Sequence, residues 1–265
     1  MLLQRSDRSI AGSSPVDSHL QRHYLRVLFL WVQRPQGERT ATGREILMAE
    51  HRWIFGESSG NTTYDSLGQV NGTLFNARRA GPGRYGLGNV LELQQSPDSY
   101  VDFGTGAGQF GTATFTISLW FSTTTTLPLV DIVGNRTSTS HGNFSSLRLA
   151  GDNPTVGTGQ LVAEADQDAN GTNYVAAVSK GPALNDGAWH HVAVVRGGPS
   201  LSLYVDGELS GQGVGKGVAN IASNNPWRLG RSLATDTSPS AKFCDLGVYS
   251  KELGPEEIYH IYCFH

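Results

Sequence analysis

The sequence predicts an all-β protein built as two antiparallel sheets stacked in a sandwich. Three observations carry this. Glycine fills 33 of 265 positions, well above the usual ~7%, and with abundant Ser, Thr and Asn it suits short strands joined by many turns. Thr114 to Ser122 alternates strictly, with Phe115, Ile117, Leu119 and Phe121 on one face and Thr116 and Ser118 on the other. Such a strand has one buried face and one wetter face. Asp206-Gly207 separates two further alternating runs, Leu201 to Val205 and Glu208 to Ser210. That dipeptide is a hairpin signal, because a type I′ turn needs φ > 0 at both central residues.

The remaining elements follow the same rhythm. Strands are predicted at 52–55, 90–94, 99–103, 145–149, 160–165, 173–178, 227–231 and 242–249. Trp189 to Val195 makes another, with Trp189 read as core and Gly197-Gly198-Pro199 as the turn after it. One helix is predicted, Pro255 to Ile261. Proline suits the first helical turn, and Glu256 and Glu257 suit the positive end of the helix dipole.

Residues 1–48 read differently, rich in Arg, Gln and Ser and without strand alternation. The apolar run Leu25 to Val32 has the look of a signal-peptide core, but it starts far from Met1 and no small-residue cleavage site follows it. The segment is therefore expected to be a disordered extension, or else Met48 is the native start. The sandwich domain is expected over 49–265. A formal net charge of −3 gives no basic footprint for nucleic acid. No apolar run approaches the ~20 residues of a membrane span. Two cysteines, Cys244 and Cys263, form no disulfide framework, and a single bridge or two free thiols are both open. Five Asn-x-Ser/Thr sequons, at Asn61, Asn71, Asn135, Asn143 and Asn170, fit an extracellular or cell-surface protein.

Four segments in order resemble the laminin-G-like jelly-roll family of the concanavalin A-like lectin/glucanase superfamily. The first is Trp53 to Gly60 followed by Tyr64-Asp65-Ser66-Leu67-Gly68 and Asn71-Gly72-Thr73-Leu74. The second is Phe115 to Phe121. The third is Gly187 to Val195, running on to Leu203-Tyr204-Val205-Asp206-Gly207. The fourth is Asp245 to Leu253 with Glu256-Glu257-Ile258. The resemblance implies a two-sheet antiparallel jelly roll with one short C-terminal helix, in which residues near 52–55 pair with residues near 243–249. Family members bind glycans or proteins, so a non-catalytic binding module is expected, for a glycan first and an extracellular protein second, with a purely structural accessory domain as a further alternative.

Calcium is the cofactor the resemblance implies, held by Asp65, Asn71 and Asp245, although this chain has Cys244-Asp245 where family members often carry two acids. A second set of acids, Asp152, Asp166 and Asp168, is a further rim candidate. The plainer reading gives Asp65 an Asx-turn and Asp245 a hydrogen bond. Glu164-Ala165-Asp166-Gln167-Asp168 resembles the acid row of a related family of retaining glucanases, which makes Glu164 and Asp166 the catalytic pair of the alternative, a glycoside hydrolase. The row is degraded at Gln167 and Asp168, and outward acids on an edge strand are the bland reading. For stacking on sugar rings the candidates are Trp120, Tyr204, Tyr100 and Trp227. Trp120 and Tyr204 lie off the predicted core faces of their strands, where an aromatic either meets ligand or packs on its neighbours. His190 and His191 fall on opposite faces and cannot share one metal.

Overall fold

The computed structural model describes residues 49–265 apart from Leu87. The expectations for residues 1–48, including Met48 as a start, lie outside the described residues. Two antiparallel eight-stranded sheets face each other. The first sheet runs β14 (Glu208–Val214), β13 (Ser200–Val205), β12 (His190–Gly197), β7 (Phe115–Thr123), β16 (Ala241–Tyr249), β5 (Val90–Leu93) and β4 (Arg78–Ala80), with β1 (His51–Trp53) also on β16. The second runs β11 (Val175–Val178), β10 (Gln160–Asp166), β9 (Phe144–Ala150), β8 (Val130–Gly134), β15 (Arg228–Leu229), β6 (Tyr100–Asp102), β3 (Gly72–Phe75) and β2 (Thr62–Thr63).

The first and last strands meet as expected: His51 lies opposite Val248 and Trp53 opposite Leu246. On the same side of β16, Ala241 to Phe243 pair with β5. A register shift between Cys244 and Gly247 separates the two stretches. Asp245 sits in that bulge with φ 53°, and Arg52 holds its carboxylate at 2.6 and 2.9 Å. At the hairpin, Asp206 and Gly207 both have positive φ, 49° and 84°, and Val205 pairs with Glu208, as the Asp-Gly signal requires.

Phe115, Ile117, Leu119 and Phe121 enter the main core with Trp53, Phe103 and Trp227. The opposite face of β7 differs from its prediction. Thr116, Ser118 and Trp120 are buried too, because a helix lies over the outer face of the first sheet. This helix, α1 (Pro255–Phe264), outruns the predicted stretch. Its start is fixed by Glu257, whose carboxylate accepts the Gly254 N–H at 2.8 Å, a charge-assisted bond at the positive end of the dipole. Ile258 and Ile261 pack on Ala193, Val195, Tyr204, Tyr249 and Leu253 as a second small core.

Trp189 is half-buried just before β12 begins, not in the core as is usual for an aromatic residue on such a strand. Strands β2, β3, β4 and β8 are too short or too broken to show a period, and the sequence did not announce them. At the open side of the sandwich, β14 presses against β11. A Cβ on Gly211 would lie 2.0 Å from the Val178 carbonyl oxygen, and one on Gly213 1.9 Å from that of Ala176. Only glycine permits that approach. Cys244 and Cys263 are both free thiols.

Candidate functional site

The predicted calcium ligands are already spoken for. Asp65 is buried, and its two oxygens accept from His51 Nδ1 (2.9 Å) and from the backbone N–H groups of Arg52 (2.9 Å), Leu67 (3.0 Å), Gln69 (3.3 Å) and Val70 (3.1 Å). Burial opposes ionisation here, but those donors outweigh it and hold the Asp65 carboxyl below its usual range. Asn71 Oδ1 accepts the Asp65 N–H at 3.1 Å, and Asp245 is taken by Arg52. A cation needs oxygens facing it, whereas here donors face the oxygens. Asp65, Asn71 and Asp245 therefore do not fit calcium. They tie the 65–71 loop to β1 instead, which corrects the expectation in favour of the turn reading. The rim set is dispersed as well. Asp166 is fully buried against His141 Nδ1 (2.6 Å), Asp168 caps its own loop through the Asn170 and Thr172 N–H groups at 2.9 and 3.3 Å, and Asp152 is exposed. Among the described residues no three His, Cys, Asp or Glu side chains gather as a metal site would need.

Glu164 and Asp166 do share one face of β10, opposite the core. Glu164 accepts from Arg148 Nε (2.8 Å), Arg136 Nη1 (3.2 Å) and the Tyr174 hydroxyl (2.9 Å). Tyr174 is pushed above its usual phenol range by burial and then by the Glu164 charge. A retaining pair needs one carboxylate free to attack and one acid free to protonate. Both oxygens of Glu164 and the buried Asp166 are engaged with protein donors.

Three of the four predicted sugar-stacking aromatics are inaccessible. Trp227 lies wholly in the main core beside Trp53 and Phe103. Tyr204 is in the second core under α1. Trp120 does leave the main core, but Tyr262 of α1 stacks on it at 5.5 Å. The helix that covers them follows them in sequence by more than fifty residues, so strand alternation alone does not reveal it. Tyr100 is half-buried and remains on the outer face of the second sheet.

That face is where the structure assembles polar and aromatic groups. Strand registers place Thr73 opposite Asp102, Asp102 opposite Arg228, Arg228 opposite Gly134, Gly134 opposite Ser146 and Ser146 opposite Glu164. The residues flanking them, Leu74, Val101, Leu229, Leu147 and Ala163, are core. One row of positions thus crosses six strands on the face away from the core, bearing side chains everywhere but at Gly134. Beside it Phe75, 41% exposed, stacks on Tyr100 with ring centres 4.6 Å apart. The Arg228 guanidinium lies 4.7 Å from the Tyr100 ring centre and donates to Asp102 at 2.8 Å. Asn76 and Ser99, next in chain to Phe75 and Tyr100, line a polar depression of about 370 Å³ together with Arg78, Gln94 and Ser96. Sequence reasoning missed Phe75, Asp102, Arg228 and Ser146. No local signal marks them, since only the register joins residues so far apart.

A family model described as the concanavalin A-like lectin/glucanases superfamily, laminin-G type, matches residues 95–259. The chain belongs to this superfamily. Its laminin-G-type sandwich is also found in solved structures that share the fold at low identity. The binding domain of Paraclostridial Mosquitocidal Protein 1 superposes with a TM-score of 0.60 at 13% identity, covering 79% of this chain and 51% of the other. The botulinum neurotoxin serotype G binding domain gives 0.61 at 14% identity, covering 82% and 51%. A Trypanosoma rangeli sialidase in complex with 2,3-difluorosialic acid gives 0.56 at 16% identity, covering 81% and 32%. The laminin-G-type chain thus spans about half the length of the toxin domains it matches. No curated protein matches the sequence.

Proposed function

We propose that this laminin-G-type domain is a non-catalytic carbohydrate-binding module that lays a glycan across the strands of the second sheet. The observation that carries this is the exposed Phe75 ring, backed by Tyr100 and set beside the Arg228–Asp102 pair. A sugar presents an apolar C–H face and a rim of hydroxyls that both donate and accept. Phe75 suits the first, and a guanidinium next to a carboxylate suits the second. The fold similarity to toxin binding domains supports a binding role, and the occupied Glu164 and Asp166 support a role without catalysis. An extracellular or cell-surface setting is part of the same reading.

Glycan-array screening of the full chain tests it. Phe75→Ala and Arg228→Ala are each expected to weaken the selected glycan about tenfold, the loss of one buried stacking or charge-assisted contact, without lowering Tm by more than a few degrees. Binding untouched by both changes sinks the sheet-face site. The alternative, a glycoside hydrolase, predicts β-glucan turnover that Glu164→Gln abolishes. Hydrolysis with that sensitivity would replace the binding-module reading.

A further inference from the structure

Arg84 is the one described arginine with no hydrogen-bonding or ion-paired acceptor. The other eight each have one: carboxylates hold Arg52, Arg136, Arg148 and Arg228, and carbonyls or a side-chain amide serve the rest. Arg84 instead meets two rings, with its guanidinium carbon 3.6 Å from the Trp120 ring centre and 4.4 Å from that of Tyr85. Contact with ring faces leaves the N–H donors around the edge of a guanidinium unspent. Nη1 is sealed from solvent and has no partner.

Two more donors in the same cluster lack acceptors. Trp120 Nε1 is buried and unpaired. His191, directly across from Trp120 on β12, meets the Ser118 hydroxyl through Nε2 at 2.8 Å. In the tautomer in which that hydroxyl donates, Nδ1 carries the proton, and it too is unpaired. Buried donors are normally satisfied, and each one left alone calls for an explanation. An arginine with no paired acceptor and two further unpaired donors beside it ask for an acceptor with negative charge.

Tyr85 supplies the approach. It is 73% exposed and held at φ 62°, ψ 15°, a left-handed conformation that an aromatic residue adopts only at a cost. The aromatic series therefore runs from exposed Tyr85 through Arg84 to buried Trp120 and out again to half-buried Tyr262. Tyrosine, arginine and tryptophan are the side chains that dominate protein-binding hot spots.

We propose that this cluster is a second binding site, on the opposite face of the domain from the glycan row. It takes an acidic segment of a protein partner, whose carboxylate meets the edge of Arg84 while its apolar neighbours pack on Tyr85 and Tyr262. The glycan reading is independent of it.

The test uses the full chain and a peptide array in which a Glu flanked by Leu or Phe is compared with Gln and Lys counterparts, in internal positions and as C-terminal acid or amide. Glu or free-acid peptides are expected to bind and to quench tryptophan fluorescence, while Gln, Lys and amide forms do not. The internal and C-terminal arms report which carboxylate is read. Arg84→Gln is expected to weaken binding at least tenfold and to leave glycan binding intact. Arg84→Lys keeps the charge without the planar fork and is expected to lose several-fold. Should Arg84→Gln not fold, Arg84→Lys and Tyr85→Ala are read instead. No binding at millimolar peptide, equal binding of Gln peptides, or binding insensitive to every one of these substitutions overturns the proposal.

Discussion

Arg52 on the first strand grips Asp245 in the last through two hydrogen bonds, 2.6 Å from Nε and 2.9 Å from Nη2. The pair spans 193 positions of sequence and closes β1 onto the bulge of β16. Both side chains keep some solvent contact, so the pair is worth less than a buried one. Removing either partner should cost about 1–2 kcal/mol. A double-mutant cycle of Arg52→Ala and Asp245→Asn in urea should show a coupling of about 1 kcal/mol. Asparagine tolerates the positive φ at this position, so the substitution reports the charge and not the backbone. A coupling near zero would mean the bulge holds β1 without the ion pair.

His190 and His191 are adjacent and should respond to pH with opposite sign. His190 donates to Asp206 at 2.9 Å and contacts Asp186 at 3.2 Å, and the Asp206 bond raises its pKa above the usual 6.5. Its stabilisation is present below pH 6.5 and is lost as pH rises through the higher folded value. His191 is buried under α1, which pushes its pKa down to about 3. The unfolded chain takes that proton near pH 6.5 and the folded domain does not, so stability falls below pH 6.5 by about 1.4 kcal/mol per pH unit. Urea melts from pH 4 to 8.5 check both. His191→Gln should flatten the acid limb, and Asp206→Asn should flatten the limb above pH 6.5.

Calcium at millimolar concentration, or a chelator, should leave Tm unchanged, because the Asp65 and Asp245 oxygens face N–H groups and a guanidinium. Asp65→Ala should instead destabilise by about 3 kcal/mol or more, since several buried backbone donors lose their acceptor at once. A calcium-dependent rise in Tm that Asp65→Ala removes would reverse this assignment.

Much of the fold was legible in the residues. The alternation of Phe115 to Phe121, the Asp206-Gly207 turn and the proline start of α1 are local, and local patterns report local geometry. The pairing of β1 with β16 was legible only through the family resemblance. The site was legible poorly, for a physical reason. Trp120 and Tyr204 sit on the non-core faces of their strands, yet whether such a face is wet depends on what else lands there, and α1 lands there. Asp65 in a glycine-punctuated loop looks the same whether the loop turns its N–H groups or its oxygens inward. Phe75, Tyr100 and Arg228 become neighbours only through strand register, which no spacing in the sequence encodes.

Gly211→Ala and Gly213→Ala should each destabilise by about 1–3 kcal/mol, because the added methyl meets a carbonyl oxygen of β11 and must push the strands apart. Urea unfolding measures the loss. Ser202→Ala, on the neighbouring strand and away from the contact, should cost under about 0.5 kcal/mol. Equal effects would mean the close approach is not what the glycines provide.

The strand made last, β16, lies in the interior of its sheet, between β7 on one side and β5 and β1 on the other. A ribosome delivers it only after the strands on both sides have emerged. Until then β7 and β5 have unpaired edges facing an empty lane, and the first sheet exists as two incomplete parts. The domain is therefore expected to acquire its fold after synthesis has passed Tyr249, with a waiting period in which a chaperone or a neighbouring nascent chain can occupy that lane.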